Sequence, residues 1–285
     1  MTTSYKIKNG VEIPVIGFGT WQVPDGPVVE DAVLTAIKCG YTHIDTAFSY
    51  DNEKGVGAAV KKSGVPREDL FITTKLWNTE QGYESTLENF EVSLKNLQTD
   101  YVDLYLVHWP KTYIFSGEYP QRVWDTWRAF EELYAAKRVR AIGLSNFLRH
   151  HMDVLMEKAQ VAPMVDQLEI HPGYNQDDIV SYCKANDIVV ESWSPLANGK
   201  LLTECDLLLE LGEKYGKSAA QIALRWNLQR GLLPLPRSVT PERIAENIDI
   251  FGFELEPEDM RRISGLPESF SGFHPDNMEF FKGFG

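Results

Sequence analysis

Residues 70–108 read LFITTKLWNTEQGYESTLENFEVSLKNLQTDYVDLYLVH, and this stretch sets the architecture. Two short apolar runs, LFITTK (70–75) and VDLYLVH (102–108), flank an amphipathic segment from Glu84 to Leu97 that is predicted to be a helix. Strand, helix, strand is a βαβ unit, which lays its two strands parallel. The same alternation recurs outward in both directions. Strands are predicted at VIGFG (15–19), YTHID (41–45), VRAIGLS (139–145), MVDQLE (164–169), IVVESW (188–193) and LLPLPR (232–237), with helices such as Val123 to Lys137 and Ser218 to Arg230 between them. Eight such units in about 250 residues predict an α/β fold, a (β/α)8 or TIM barrel. A doubly wound sheet is the rival, but no glycine-rich G-x-G-x-x-G loop follows the first strand. The GVG at Gly55 to Gly57 falls inside a helix and reads as helix packing. Ahead of the barrel, YKIKNGVEIPVI (5–16) reads as a hairpin with a type I′ turn at Asn9-Gly10. No linker or composition shift divides the chain, so one domain over residues 1–285 is expected.

Composition narrows the function. The 285 residues are 43% hydrophobic and 12% aromatic, enough for a large core. A net charge of −13 argues against nucleic-acid or anionic-membrane partners, which need clustered Lys and Arg. Cys39, Cys183 and Cys205 have no CxxC spacing and read as reduced thiols. The polar start, MTTSYKIKNG, has no signal-peptide core, and no apolar run reaches membrane-spanning length. A cytoplasmic protein, as a monomer, is expected.

In a barrel, chemistry sits at the carboxyl ends of the strands. Those ends carry Gly19-Thr20-Trp21, Asp45 with Tyr50 in its loop, Lys75 with Trp77, His108-Trp109, Ser145-Asn146, Gln167, Trp193-Ser194 and Arg237-Ser238. Period-two alternation puts Asp45, Lys75 and His108 on one face of their strands. Each has a bland explanation: a turn acid, a snorkelling lysine, a satisfied core histidine, a packed tyrosine. Together they would have to be independent accidents. A phenol with a pKa of about 10 is a poor acid at neutral pH, and an adjacent ammonium lowers it. Asp45 would keep that ammonium charged, and His108 would orient a carbonyl oxygen toward Tyr50. His150 and His151 head a helix and read as caps or surface residues, and nothing has metal-ligand spacing.

With HIDTAFSYDNE, FITTKLW, LYLVHWP, IGLSNF and LPRSVTPERIAEN in order, the sequence resembles the aldo-keto reductase family over nearly its whole length. The ending SGFHPDN is similar to bacterial members, the diketogulonate reductase and prostaglandin F synthase-like branch. The resemblance implies an NADP-dependent reductase of aldehyde and ketone carbonyls with Asp45, Tyr50, Lys75 and His108 as its catalytic tetrad, Tyr50 being the acid. It implies that Ser145, Asn146 and Gln167 hold the nicotinamide carboxamide and that Trp193, a tyrosine in many relatives, stacks on the ring. Gly19, Thr20, Trp21, Asp45, Ser194 and Leu196 complete that part of the cofactor site, and Ser238, Val239, Glu246 and Asn247 join Arg237 and Arg243 around the adenosine end. Asp166 stands where relatives often carry asparagine, and Arg237 where they carry lysine. Trp21, Phe48, Trp77, His108 and Trp109 would line a substrate pocket for small, fairly apolar carbonyls, covered by the C-terminal tail from Gly265.

The phosphate site has a physical basis of its own. Thr240 is placed to N-cap a helix beginning at Pro241, and a helix N-terminus favours anions. Arg243 in that first turn is at the wrong end for a cation unless an anion binds there. NADPH is therefore the expected cofactor, with NADH a weaker alternative should Glu242 or Glu246 face the ribose. Two other functions compete: a Schiff-base enzyme using Lys75 as nucleophile, which needs a neutral lysine, and a non-enzymatic nucleotide-binding subunit, which has no use for a tuned phenol.

Overall fold

The hairpin comes first: β1 (Ser4–Lys6) pairs antiparallel with β2 (Glu12–Pro14). The structure, a computed structural model, describes residues 3–111 and 116–277. The turn differs from the expected type I′, which needs positive φ at two residues. Only Gly10 has it, at 88°, and its N–H donates to Ile7 O while Ile7 N–H donates to Val11 O. A wider loop with one left-handed glycine results. Lys8 and Asn9 donate to the carbonyls of Asn186 and Arg140, which precede or open later strands, so the hairpin packs at the amino end of the sheet.

The eight remaining strands are β3 (Phe18–Gly19), β4 (His43–Asp45), β5 (Phe71–Leu76), β6 (Val102–Val107), β7 (Val139–Ser145), β8 (Val165–Glu169), β9 (Val189–Trp193) and β10 (Leu233–Pro234). They lie parallel in sequence order, and Gly17 and Gly19 close the ring by donating to the carbonyls of Pro234 and Pro236. β3 and β10 are shorter than the sequence suggests. Pro234 and Pro236 have no N–H to extend the ladder, so the last strand offers mostly acceptors.

Helices cover the outside: α1 (Pro27–Lys38), α2 (Glu53–Ser63), α3 (Tyr83–Leu97), α4 (Gln121–Ala135), α5 (Arg149–Met156), α6 (Asp177–Ala185), α7 (Leu201–Glu204), α8 (Asp206–Tyr215), α9 (Ala219–Gln229), α10 (Pro241–Ile248) and α11 (Pro257–Ser264). β5 and β6 are buried at every position, as strands covered on both faces must be. Tyr105 of β6 stacks on Phe130 of α4 at 4.4 Å and tilts against Phe90 of α3. Burying each ring contributes roughly 1.5–3 kcal/mol. The packing role of the GVG run holds, since a Cβ at Gly57 would stand 2.5 Å from Leu97 O.

Ser218 caps α9 in a capping box with Gln221. Thr240, by contrast, occupies the N-cap of α10 without a side-chain bond; its own N–H donates to Ser238 Oγ. The described part of the tail crosses the carboxyl end of the barrel, where Ser271 donates through N and Oγ to Glu169. Among the described residues no helix is long and apolar enough to cross a membrane.

Candidate active site

β5 delivers Lys75 to the barrel interior, where its side chain is fully buried. A buried ammonium must spend all three N–H bonds, and this one does. It donates to Asp45 Oδ1 at 2.7 Å, to Thr46 O at 3.0 Å and to Tyr50 Oη at 3.2 Å. The loop after β4 makes this possible: Thr46 Oγ1 donates to Asn52, and Asn52 in turn donates to Thr20 O and Val23 O. That brace sets the short 3-10 turn Phe48–Tyr50 over the strand end.

The charges settle as follows. Burial alone would lower the Lys75 ammonium, but Asp45 and Tyr50 hold it raised. Burial raises the Tyr50 phenol above 10; Lys75 pulls it back and Asp45 pushes it up again. The expected net lowering of the phenol by Lys75 is thus corrected: burial outweighs the ammonium in the free protein, and Lys75 offsets part of that rise. Tyr50 is nonetheless partly exposed to the pocket. His108, at the end of β6, is held neutral by burial and then by Lys75. Its ring packs edge-on between Tyr50 and Trp77, with Ser49 Oγ 3.5 Å from Nδ1.

Above these groups lies a cavity of about 690 Å³. Its wall includes Gly19, Trp21, Asp45, Phe48, Tyr50, Trp77, His108, Trp109, Ser145, Asn146, Gln167, Trp193, Ser194 and Leu196, and at its far end Arg237, Ser238, Val239, Arg243, Glu246 and Asn247. Lys75 stands behind the wall rather than on it. Thr20, named above as a cofactor contact, is fully buried and off the wall, its hydroxyl donating to Asp45 O. Its place is structural.

On the β7–β9 side, Ser145 Oγ donates to Gln167 O, and Asn146 Nδ2 donates to His108 O and Ser145 Oγ. Trp193 Nε1 donates to Asn146 Oδ1 at 2.8 Å. Asp166 faces away from the pocket into an apolar layer. Burial raises its carboxyl well above the ordinary carboxylate range, while the Phe147 N–H pulls it part of the way back. At the α10 end, Arg237 donates to Gln22 Oε1 at 3.4 Å, and among the described residues no carboxylate pairs with Arg237 or Arg243.

Phe273 escaped sequence reasoning. It lines the cavity and packs edge-on to Trp21 at 6.2 Å and against Trp193 at 6.4 Å. No periodicity marks an aromatic in a tail without regular structure. His150 and His151 were also incompletely read. His151 Nδ1 accepts the Leu148 N–H, a cap as expected, but His151 is buried, and the Nε2 atoms of both histidines and Lys111 Nζ converge on Asp276 Oδ1 at 3.0–3.1 Å. The ligand atoms of His150, His151 and Asp276 lie within 4.8 Å of one another. Because Nδ1 of His151 accepts the Leu148 N–H hydrogen bond, the ring proton sits on Nε2, which makes the cluster a hydrogen-bonded latch on the tail rather than an open ligand set.

The sequence matches the Aldo/keto reductase family model over residues 15–268. The chain belongs to the aldo/keto reductase family. It is an oxidoreductase acting on carbonyl groups. It is 49% identical over 276 residues to glyoxal reductase of Bacillus subtilis (strain 168), covering 96% of this chain and 97% of the relative. It is 40% identical over 279 residues to methylglyoxal reductase DkgA of Escherichia coli (strain K12), covering 98% of each. Among solved structures, a mutant of Gox0644 in complex with NADPH superposes with a TM-score of 0.88 at 38% identity, covering 97% of this chain and 98% of that one. The aldo/keto reductase architecture thus accounts for the eight-stranded barrel and its amino-terminal hairpin.

Proposed function

We propose that this aldo/keto reductase reduces aldehyde and ketone carbonyls with NADPH, using Tyr50 as general acid. The observation that carries this is the Lys75 ammonium with its three N–H bonds on Asp45, Thr46 and Tyr50. Tyr50 Oη accepts from Lys75, so its own O–H is free to donate to a carbonyl oxygen, and the same ammonium then stabilises the phenolate left behind. Neutral His108, beside Tyr50, supplies an N–H to orient that oxygen. Asp45 keeps the ammonium protonated, which is the opposite of what a Schiff-base lysine requires.

The donor set of the wall fits a nicotinamide dinucleotide, whose chemistry is the delivery of hydride. Amide and hydroxyl groups of Ser145, Asn146 and Gln167 suit a carboxamide, and Trp193 offers an aromatic face. Arg237, Arg243 and the N-terminus of α10 suit a 2′-phosphate. Nothing acidic lies between residues 237 and 240 to prefer a bare hydroxyl, so NADH is the weaker ligand. Trp21, Phe48, Trp77 and Trp109 favour compact carbonyl substrates, and the names of two relatives direct the first assays to glyoxal and methylglyoxal.

Tyr50→Phe tests the assignment. Loss of one hydroxyl is expected to lower kcat roughly 100- to 10,000-fold while leaving the NADPH Kd unchanged. A kcat within a few-fold of the parent overturns it.

A further inference from the structure

Behind the cofactor wall, β9 places a second carboxylate in the barrel interior. Glu191 is fully buried and does not line the cavity. The Gln167 amide spends both its N–H bonds inward, one on Asp45 Oδ2 at 2.9 Å and one on Glu191 Oε2 at 2.7 Å. Its Oε1 is left as the atom free to face the pocket. The flipped amide would put that oxygen against Asp45 Oδ2, on the ionised partner of Lys75, and would strand that acceptor.

We propose that Glu191 is a positioning residue that, with Asp45, fixes Gln167 with its carbonyl oxygen turned to the pocket, where it accepts an N–H of the nicotinamide carboxamide. This rests on the dinucleotide reading above and assigns a role to a residue that never meets the ligand. Asp45 alone is a weaker guide, because its Oδ1 is committed to Lys75; a second acceptor 2.7 Å away on the neighbouring strand removes the remaining freedom of the amide. Among the described residues Glu191 Oε1 has no hydrogen-bond partner, and it lies 3.8 Å from His43 Nε2. His43 is kept neutral by burial and then by Lys75, and its Nε2 already meets Thr73 Oγ1, so it adds no salt bridge. The remaining titratable groups near Glu191 are Lys75, and Asp166 on the far side of β8.

The test compares Glu191→Met, which keeps length and removes the acceptor, with Glu191→Gln, which keeps an acceptor without charge. Full-length parent and variants are titrated with NADP+ and with adenosine 2′,5′-bisphosphate, which has no nicotinamide, after circular dichroism verifies the fold. Glu191→Met is expected to raise the NADP+ Kd about five- to tenfold, the effect of one lost hydrogen bond, with the bisphosphate Kd unchanged. Glu191→Gln should restore the NADP+ Kd to within about threefold of the parent. Unchanged NADP+ binding in Glu191→Met, or equal weakening of both ligands, overturns the proposal alone. A parent that binds neither ligand overturns the cofactor reading, and this inference with it.

Discussion

The indole N–H of Trp193 donates to Asn146 Oδ1 across 2.8 Å. Asn146 sits in the left-handed region, with φ 63°, a conformation that asparagine tolerates better than most residues. Its amide is held on the other side by His108 O and Ser145 Oγ. An indole at this position therefore does more than present a ring face: it finishes locking an amide on the cavity wall. Trp193→Phe keeps an aromatic face and removes the donor. It is expected to raise the NADPH Kd about fivefold, one neutral hydrogen bond's effect, which fluorescence quenching reads directly. An unchanged Kd means the lock is idle.

Lys75→Met should act on stability as well as catalysis. Removing one partner of a buried pair costs about 3–5 kcal/mol, because Asp45 is left charged without a counter-ion. An acid in that situation is raised in the folded state, so the penalty is present at neutral pH and fades as pH falls toward the ordinary carboxylate value. Melting curves are expected to show a deficit on the order of 6–10 °C at neutral pH, narrowing in mild acid. In the parent, Lys75 is raised above its ordinary value, so its contribution is complete at neutral pH and lost only in strong alkali. Activity should be lost at every pH, since the phenol would rise further without its ammonium.

Arg243→Ala separates the two cofactors. A charge-assisted bond contributes about 1.5–3 kcal/mol, so the NADPH Kd should rise roughly ten- to a hundredfold while NADH binding barely moves. Salt should erode the parent's preference, because Arg243 is exposed and its field is screened. Equal weakening for both cofactors would place the 2′-phosphate elsewhere.

Glu191→Gln should stabilise the protein in a pH-dependent way. Burial first, and Asp45 second, raise the Glu191 carboxyl in the folded chain. The folded state thus binds the proton more tightly than the unfolded state, and stability falls as pH rises beyond the ordinary glutamate value of about 4.3. A glutamine escapes that loss. The variant is expected to melt about 2–4 °C above the parent at pH 8, with the two curves converging near pH 4.5. A gain that ignores pH would refute the cause.

Much of this was legible in the sequence because strand ends in a parallel barrel are set by alternation. Once HID, FITTK and VDLYLVH are read as parallel strands, Asp45, Lys75 and His108 must share an end. What alternation cannot supply is energy balance. It placed Lys75 beside Tyr50 but could not weigh the ammonium against burial, and burial is larger. The family resemblance places Thr20 with Gly19 and Trp21 at the cofactor, whereas its hydroxyl turns inward to Asp45 O. Phe273, and the meeting of His150 and His151 with Asp276, depend on a tail without repeating pattern. The Asn9-Gly10 turn failed for a local reason: the dipeptide permits a type I′ turn but also permits the longer loop that the flanking register selects.

The seam where Gly17 and Gly19 donate to Pro234 and Pro236 has a consequence for folding. It joins strands more than two hundred residues apart in the chain, so the entropy of closing that loop is recovered only when every intervening unit is in place. Trp21 stands on one side of the seam, and Arg237 on the other. No arc of partly assembled barrel contains both walls of the cavity, and a nascent or locally opened chain has no site to occupy. Competence to bind the cofactor arrives in one step, with the last strand.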